Sequence, residues 1–351
     1  MSGFSRQTLN SVRDNRGVAL LICLLIMAIL TVVVLEFHYE VQVDAALKNN
    51  SFLALKAEYA ARSGVAFCKA LLRKDAANDL MLPPERRTDS LTEEWALAAE
   101  PIQVDEGILV TTRIIDQDGK FCINRVLNAK TYKANGKAVL ALKRLLTEFE
   151  MPVETTDAVL DWVDMDSVQR PAGAEDGYYR GLSLPYLCKN GWLDSMEELA
   201  LVKGFTQEAV FGQHTRVEDE LSQGEVMPAL ADYLSVFGAR EGRINVNTAA
   251  EPVLRAVFGQ DTPVASNIVS GRQSGPFESM ADLKQRVPAV IGIQEAGKSI
   301  AFRSNTFSII SEGVVYGMPV RIDTVVERFV PQGASSPEEV GFRTLAWKVR
   351  R

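Results

Sequence analysis

The sequence predicts an α+β protein in which a long amino-terminal helix packs on an antiparallel sheet, with a large all-α domain inserted between strands. An apolar run near the amino terminus passes into a helical pattern with no proline before Pro83. Runs of β-branched residues occur at 107–115 and return only after residue 305. Helical patterns fill the interval between them, and strands separated by a helical block indicate a helical insertion into a sheet.

The apolar run extends from Gly17 to Leu35, holds no charged residue and has Thr31 as its only polar group. At 1.5 Å per residue such a run reaches about 28 Å, close to the ~30 Å hydrocarbon core of a bilayer. It therefore predicts a single transmembrane helix over 18–35. The preceding residues carry three arginines against one acid. Because basic flanks stay in the cytoplasm, we expect a cytoplasmic amino terminus, with the residues after the run on the other side of the membrane.

The boundary before this run has the features of a processing site. The residues after the run, EFHYEVQVD, lack the small-x-small pattern of a secretory signal. A cut at Gly17-Val18 would instead keep the apolar helix at the start of the mature chain. This arrangement resembles the leader of type IV pilins and pseudopilins, which a prepilin peptidase cleaves after Gly before the new amine is methylated. The resemblance implies a leader over 1–17 and processing at Gly17 and Val18, and an uncut anchor is the alternative.

The fifth residue after that cut is Ile22, where most pilin-like proteins carry Glu. In those proteins the carboxylate is thought to meet the terminal amine of a neighbouring subunit in the apolar core of the filament, where unpaired charges are costly. A subunit without it suits a position with a neighbour on one side only. Among the secretion pseudopilins, the minor subunit K is the one known to lack this Glu.

After the membrane segment, apolar residues continue at spacings of three and four, which predicts an amphipathic spine helix over 36–75. The segments 76–124 and 301–351 are expected to form a pilin-like β domain around an inserted α-helical domain at 125–300. Strands are expected at 107–115, 306–313, 314–316, 320–330 and 342–349, with a hairpin turn at 317–319. Helices are expected at 91–99, 137–150, 155–162, 195–203, 229–237, 249–258, 264–270 and 280–286.

Composition narrows the classes of function. The 351 residues are 47% apolar, enough for two or more domains. The net charge of -7 argues against general attraction to nucleic acid. Outside the membrane run, Cys68, Cys122 and Cys188 allow at most one internal disulfide. The chain has two histidines and no CxxC motif, so a zinc site is not expected.

A stretch rich in acids is the candidate metal site. It contains Asp161, Asp164, Asp166, Glu175 and Asp176 in largely loop-like sequence. Carboxylates so close together repel one another unless a hard cation takes them as oxygen ligands. The Asp-x-Asp spacing and the neighbouring glycines favour Ca²⁺, although the twelve-residue EF-hand pattern is missing. A solvated acidic surface is the alternative.

The order of motifs in this region carries a further resemblance. DWVDMD, GAEDGYY and LDSMEELALVKGF closely resemble the helical insertion of the minor pseudopilin K of type II secretion systems. That family binds calcium in loops of this domain. The resemblance implies Ca²⁺ ligands at Asp164, Asp166 and Glu175, with Asp161 and Asp176 as further candidates.

A DNA-binding protein and an enzyme are the alternative classes of function. INVNTA and SGPFESMADL resemble helix-hairpin-helix DNA-uptake proteins, and a membrane-anchored DNA-binding protein is the alternative function. DNA-binding hairpins offer amides of a Gly-x-Gly turn to phosphate, but the turns at 204–206 and 259–261 lack the second glycine. A triad of Asp194, Ser195 and His214 lacks the G-x-S-x-G elbow, and Ser195 is placed as a helix cap. No enzyme is predicted.

The resemblance to minor pseudopilin K covers nearly the whole chain. It implies a non-enzymatic, single-pass subunit of the bacterial inner membrane, located at the tip of the periplasmic pseudopilus. There it would assemble with minor pseudopilins I and J and the rest of the type II secretion machinery, without nucleic acid. The complex would nucleate the filament for protein export across the outer membrane.

Overall fold

A computed structural model describes residues 16–97, 100–212, 229–238, 242–260, 262–293, 296–331 and 336–351. Most of the expected leader, residues 1–15, and the candidate catalytic His214 lie outside the described residues. The chain divides into two compact units, Met1–Lys56 and Ala57–Arg351.

The described part of the first unit belongs to helix α1, which runs over Arg16–Leu80. Its apolar side chains from Val18 onward are exposed, and the Thr31 hydroxyl donates to the carbonyl of Met27 at 2.7 Å. This bond satisfies the one polar group of the apolar run. Among the described residues, α1 alone is long and apolar enough to cross a bilayer. The expected long apolar helix is confirmed, and its end at Leu80 lies five residues beyond the expected 75.

The second unit contains an antiparallel sheet in the order β1-β2-β7-β8-β9. These strands span Ile102–Asp105 (β1), Ile108–Asp116 (β2), Thr306–Val315 (β7), Met318–Phe329 (β8) and Gly341–Arg350 (β9). Burial alternates along β7, as expected where one face packs on a core. The turn between β7 and β8 is Tyr316-Gly317, and both residues have positive φ. Strand β8 therefore begins at Met318, inside the expected turn 317–319. The two expected strands 306–313 and 314–316 form the single strand β7.

The carboxyl-terminal part of α1 packs on this sheet through small residues. A Cβ on Gly313 would lie 2.3 Å from the carbonyl oxygen of Ala57, and one on Gly64 would lie 2.2 Å from Ser311 Oγ. Ser311 Oγ donates to the carbonyl of Ala61 at 2.8 Å. Larger side chains at these positions would push the helix away from the sheet. The core beside them includes Val65, Leu72, Trp95, Phe307, Ile309, Ile322 and Val326.

The expected helix at 91–99 is wrong for its described part, since residues 91–97 form turns. Trp95 is buried against Phe307, with ring centroids 5.2 Å apart, and its Nε1 donates to Glu93 at 2.6 Å. Ser90 Oγ donates to the same carboxylate at 3.0 Å. Such local side-chain bonds compete with helix formation. Strand β1, just beyond, was not expected from the sequence.

Helices and short strands fill the chain between β2 and β7 and share one large core from Phe121 to Ile300. The helices are Gly136–Glu148 (α2), Thr155–Val163 (α3), Asp176–Arg180 (α4), Met196–Leu199 (α5), Gln207–Phe211 (α6), Leu230–Tyr233 (α7), Glu251–Phe258 (α8), Val264–Gly271 (α9), Met280–Arg286 (α10) and Ala296–Ser299 (α11). The short strands are Phe121–Cys122 (β3), Leu234–Ser235 (β4), Ile244–Asn245 (β5) and Ile300–Ala301 (β6), which pair as β3-β4 and β5-β6. The helical region between strands confirms the expected fold class, and the boundaries at 125 and 300 stay a prediction.

A buried polar cluster lies where the chain leaves and re-enters the sheet. Asp116 Oδ2 accepts from the hydroxyls of Ser304 and Thr248, each at 2.5 Å. Asn245 donates to the carbonyl of Asp89 at 2.9 Å and to Ser304 Oγ at 2.7 Å. Burial and the charge of Asp118 raise the pKa of Asp116 to about 7. This cluster ties β2 to the later part of the helical region, because Thr248 and Asn245 belong to the INVNTA segment at 244–249.

Candidate metal centre

The acidic stretch lies between two helices of the helical region. Helix α3 ends at Val163, and Asp164 follows as its carboxyl-terminal cap. Glu175 directly precedes α4, which begins at Asp176. The loop between these helices brings the end of one beside the start of the other. Acids that are separated in sequence therefore share one small volume.

Three carboxylates meet in that volume. Each of Asp164, Asp166 and Glu175 places an oxygen within 4.8 Å of the other two. Asp164 and Glu175 are buried, whereas Asp166 is exposed. We refer to these residues as the acidic trio.

Two members of the acidic trio have buried oxygens without a hydrogen-bond partner in the part of the chain that the structure describes. These atoms are Oδ1 of Asp164 and both carboxylate oxygens of Glu175. Buried polar atoms normally have a partner, and an unpaired buried carboxylate is costly. Oxygen atoms of this kind are the ligands that Ca²⁺ takes in proteins. The donor set therefore fits a hard cation.

The pKa shifts within the acidic trio also indicate that a positive charge is missing there. Burial and, after it, the charges of Asp161 and Asp164 together raise the pKa of Glu175 to about 7, against the smaller opposing effect of the nearby Cys188 thiol. Burial also raises the pKa of Asp164, against the effect of its bond to Arg170. A bound cation would favour the charged form of both groups and reverse this effect.

Asp161 lies beside the trio but is bonded to Arg170. Its side chain is fully buried and accepts from Arg170 Nη1 at 2.6 Å and from the Arg170 amide at 3.1 Å. A Cβ on Gly173 would lie 1.9 Å from Asp161 Oδ2, so only glycine allows the loop to close over this carboxylate. Arg170 Nη1 also contacts Asp164 Oδ2 at 2.5 Å. Asp161 thus anchors the loop, and a part for it in ion binding stays a prediction.

Asp176 also has protein partners. Its Oδ1 accepts from the Cys188 amide at 2.9 Å, and its Oδ2 accepts from Arg180 at 3.0 Å. Asp176 is not a member of the acidic trio, and a part for it in ion binding stays a prediction. Sequence reasoning did not identify Arg170 as a partner of these acids, although its position between DWVDMD and GAEDGYY was a signal.

Aromatic packing supports the loop from behind. Trp162 and Tyr179 pack edge to face with ring centroids 5.0 Å apart, and both are buried. Trp162 Nε1 donates to Glu198 at 2.8 Å. Lys203 Nζ donates to the carbonyl of Gly173 at 3.0 Å. These contacts connect α3, the loop and α5, and they hold the candidate site on rigid elements.

A second group of acids lies against the sheet and was not recognised in the sequence. Oxygens of Asp75, Asp89 and Glu93 also lie within 4.8 Å of one another. Arg328 from β8 bonds to this group through Asp75 at 2.9 Å and through Asp89. The arginine is 2% exposed and donates in addition to the carbonyl of Ser304 at 2.9 Å. This second group is therefore an internal ion-pair network.

Other residues considered in the sequence have structural partners. Asn247 bonds the backbone of Phe277 in both directions, at 2.8 Å and 3.0 Å. Ser195 caps α5 by accepting from the Glu198 amide at 3.3 Å, which confirms the expected cap. Asp194 pairs with Lys189 at 2.7 Å. None of the four cysteines, all of which are among the described residues, is in a disulfide bond.

Comparisons with known proteins agree with this architecture. Two family models, each described as type II secretion system protein K, match residues 119–211 and 244–302. The chain is 29% identical to type II secretion system protein K of Pseudomonas aeruginosa, over 86% of this chain and 85% of the relative. It is 30% identical to the protein of that name from Aeromonas hydrophila, over 55% of this chain and 60% of the relative.

The fold has a counterpart among solved structures. A chain of the GspK-GspI-GspJ complex from the type 2 secretion system of enterotoxigenic Escherichia coli aligns with a TM-score of 0.66 at 17% identity. The alignment covers 88% of this chain and 99% of that one. At this identity the match shows a shared fold. With the family models and relatives, it leads to one conclusion: the chain belongs to the type II secretion system protein K family of pseudopilins.

Proposed function

We propose that this chain is the minor pseudopilin at the tip of the type II secretion pseudopilus, where it assembles with minor pseudopilins I and J and nucleates the filament. The observation that carries the proposal is the fold match over 99% of a chain from the GspK-GspI-GspJ complex. The assembled filament would serve protein export across the outer membrane.

The helical region supports a position at an end of the filament. The inserted domain, proposed to span 125–300, has its own large core and adds a bulky body to a head that otherwise consists of a helix and a sheet. Such a body leaves little room for identical subunits stacked closely along a thin filament. A position at the tip removes that constraint.

The neutral side chain at position 22 supports the same position. Ile22 lies on the exposed apolar surface of α1, with no carboxylate to pair with the amine of a neighbouring subunit. A carboxylate at position 22 could meet such an amine only after a cut between Gly17 and Val18 creates the new amino terminus. We therefore include that cut, a periplasmic head and a cytoplasmic leader in the proposal.

Calcium is the proposed ligand of the acidic trio, Asp164, Asp166 and Glu175. The ion would supply the positive charge that the buried oxygens of Glu175 lack among the described residues. It would join the end of α3 to the start of α4, and its role would be structural. Binding energy would then add to the stability of the folded head.

Co-expression tests the assembly. The full-length chain is produced with subunits I and J of the same secretion system, extracted in mild detergent and analysed by size exclusion and mass determination. We expect a stable complex containing all three. A K subunit that elutes alone under conditions in which I and J associate with each other would contradict the proposal.

Position 22 tests the location. We expect labelled wild-type subunits at filament ends only, in electron micrographs of assembled pseudopili. Ile22→Glu restores a carboxylate, and Ile22→Gln is the matched control because it has the same size without charge. Labelled Ile22→Glu is expected along the filament more often than Ile22→Gln. Wild-type label distributed along the filament would reject the tip position.

A further inference from the structure

A cavity in the helical region, away from the acidic trio, combines basic and apolar side chains. Its volume is about 130 Å³, and its wall includes Phe121, Arg125, Lys137, Leu140, Arg144 and Phe258. Three of these are cations, and none of the described lining residues is acidic.

Arg125 is the buried member of this wall. It is 9% exposed, and its Nε and Nη1 atoms are buried without a hydrogen-bond partner among the described residues. Its guanidinium lies 5.6 Å from the ring centroid of Phe121, a contact that leaves those N–H groups unsatisfied. Burial lowers the pKa of Arg125 to about 10, so the group still carries its charge at neutral pH. A buried, charged donor without an acceptor is costly.

The surroundings of Arg125 hold it in this position. It lies in the short 3-10 turn Ile123–Val126, which directly follows β3. The backbone of Gly242 approaches so closely that a Cβ there would lie 2.3 Å from Arg125 Nη2. The guanidinium is therefore fixed before any ligand arrives.

Helix α2 supplies the other two cations. Lys137 and Arg144 are seven residues apart, which places them on the same face of the helix. Lys137 is exposed in the first turn of α2, and Arg144 is half-buried and donates to the carbonyl of Ala256 at 3.2 Å. An anion in the cavity would be close to the amino-terminal end of a thirteen-residue helix, which adds a favourable field.

We propose that this cavity binds a small oxyanion, a phosphate or a carboxylate, with Arg125 as the principal donor. The guanidinium keeps a fixed positive charge, and its Nη1 and Nε atoms are donors that no described residue satisfies. Arg125 and Arg144 bring positive charge to the wall, and a volume of about 130 Å³ limits the ligand to a small ion. The proposal is independent of the tip position and of calcium.

Binding is tested on the full-length chain in detergent and calcium-free buffer. The probes are inorganic phosphate and acetate, each compared with sodium chloride at equal ionic strength. The readouts are the thermal midpoint and, for phosphate, broadening of its ³¹P resonance. We expect one of the two anions to raise the midpoint above the chloride value. The more effective probe distinguishes a tetrahedral from a planar ligand.

Arg125→Met separates a ligand site from a structural arginine. Methionine fills a similar volume without charge, so we expect the anion response to weaken by roughly tenfold to a hundredfold in affinity. The midpoint without anion should equal or exceed that of the wild type, because an unpaired buried charge has been removed. Arg86→Met is the control: its exposed side chain has a 3.6 Å ion pair with Glu278 and should leave the response unchanged.

Lys137→Met provides a second variant should Arg125→Met fail to fold. Its side chain is exposed, so the fold should persist while the loss of charge weakens anion binding severalfold. A wild-type response no larger than that of chloride would overturn the proposal. So would an unchanged response in Arg125→Met, or in Lys137→Met if the first variant does not fold.

Discussion

The two groups of acids in this protein have similar geometry but differ in what lies among them. Both bring three carboxylates within 4.8 Å of one another. In the group Asp75, Asp89 and Glu93, Arg328 supplies an internal cation. In the acidic trio, Arg170 contacts Asp164 and leaves both oxygens of Glu175 without a partner among the described residues. The difference teaches that close carboxylates indicate an ion site only when the chain's own cations do not satisfy them.

The largest effect is expected at the group that has its own cation. Arg328→Met would leave Asp75 and Asp89 buried without a positive charge. Removing one partner of a buried pair costs about 3–5 kcal/mol. Chemical denaturation of the full-length chain in detergent and calcium-free buffer should show a loss of that order.

Arg343→Met is the matched control for that experiment. Arg343 on β9 pairs with Glu327 on β8 but is largely exposed, so its loss should cost no more than about 1 kcal/mol. Equal effects of the two substitutions would break the comparison between the groups.

The second expected effect concerns calcium at the acidic trio. Ca²⁺ at one hundred times its dissociation constant would stabilise the fold by about 2.7 kcal/mol. Glu175→Gln keeps the shape but removes the charge, and Asp166→Asn does so at an exposed position. Both should lose most of the calcium-dependent rise in thermal midpoint.

Asp105→Asn is the control, since Asp105 is exposed on β1 and far in sequence from the trio. A calcium response that persists unchanged in Glu175→Gln and Asp166→Asn would remove the trio from the proposed site. A response that Asp105→Asn also abolishes would point to a general effect of charge.

The smallest effect is a pH dependence that only calcium-free protein should show. The pKa of Glu175 is raised from 4.5 to about 7 by burial and by its acidic neighbours. Between these values the folded state retains a proton that the unfolded state has lost. The free energy of unfolding should therefore fall, through this group, as pH rises from about 4.5 to about 7.

Glu175→Gln should flatten that part of the profile, because the titrating group is gone. Saturating calcium should flatten it as well, since the ion favours the ionised form. A wild-type profile that is the same as that of Glu175→Gln in calcium-free buffer would contradict the assignment of this titration.

Long periodic elements of the fold were readable from the sequence. Helix α1, strand β2 and the three strands from β7 to β9 carry apolar patterns that extend over many residues. Short elements were not: the expected helix at 195–203 is only α5, and the expected helix at 229–237 divides into α7 and β4. Helix α7 ends at Tyr233 because the next residues form β4, which pairs with β3 more than one hundred residues earlier in the chain.

The acids show why site prediction has a limit. The stretch 161–176 was recognisable because its acids are close in sequence. Which of these acids lack a hydrogen-bond partner depends on where Arg170 lies in the folded loop. The spacing of residues in the sequence does not predict that position. Arg328 meets Asp75 and Asp89 across more than two hundred residues, so no local pattern could have revealed that network.

The helical region leaves and rejoins the sheet at adjacent points. Asp116, at the end of β2, is paired with Phe307, at the start of β7. Opposed residues in an antiparallel pair have Cα atoms only about 4.5–5.5 Å apart. A hairpin linker could therefore replace the whole segment between them without altering strand register, and the same scaffold could accept appendages of very different size during evolution.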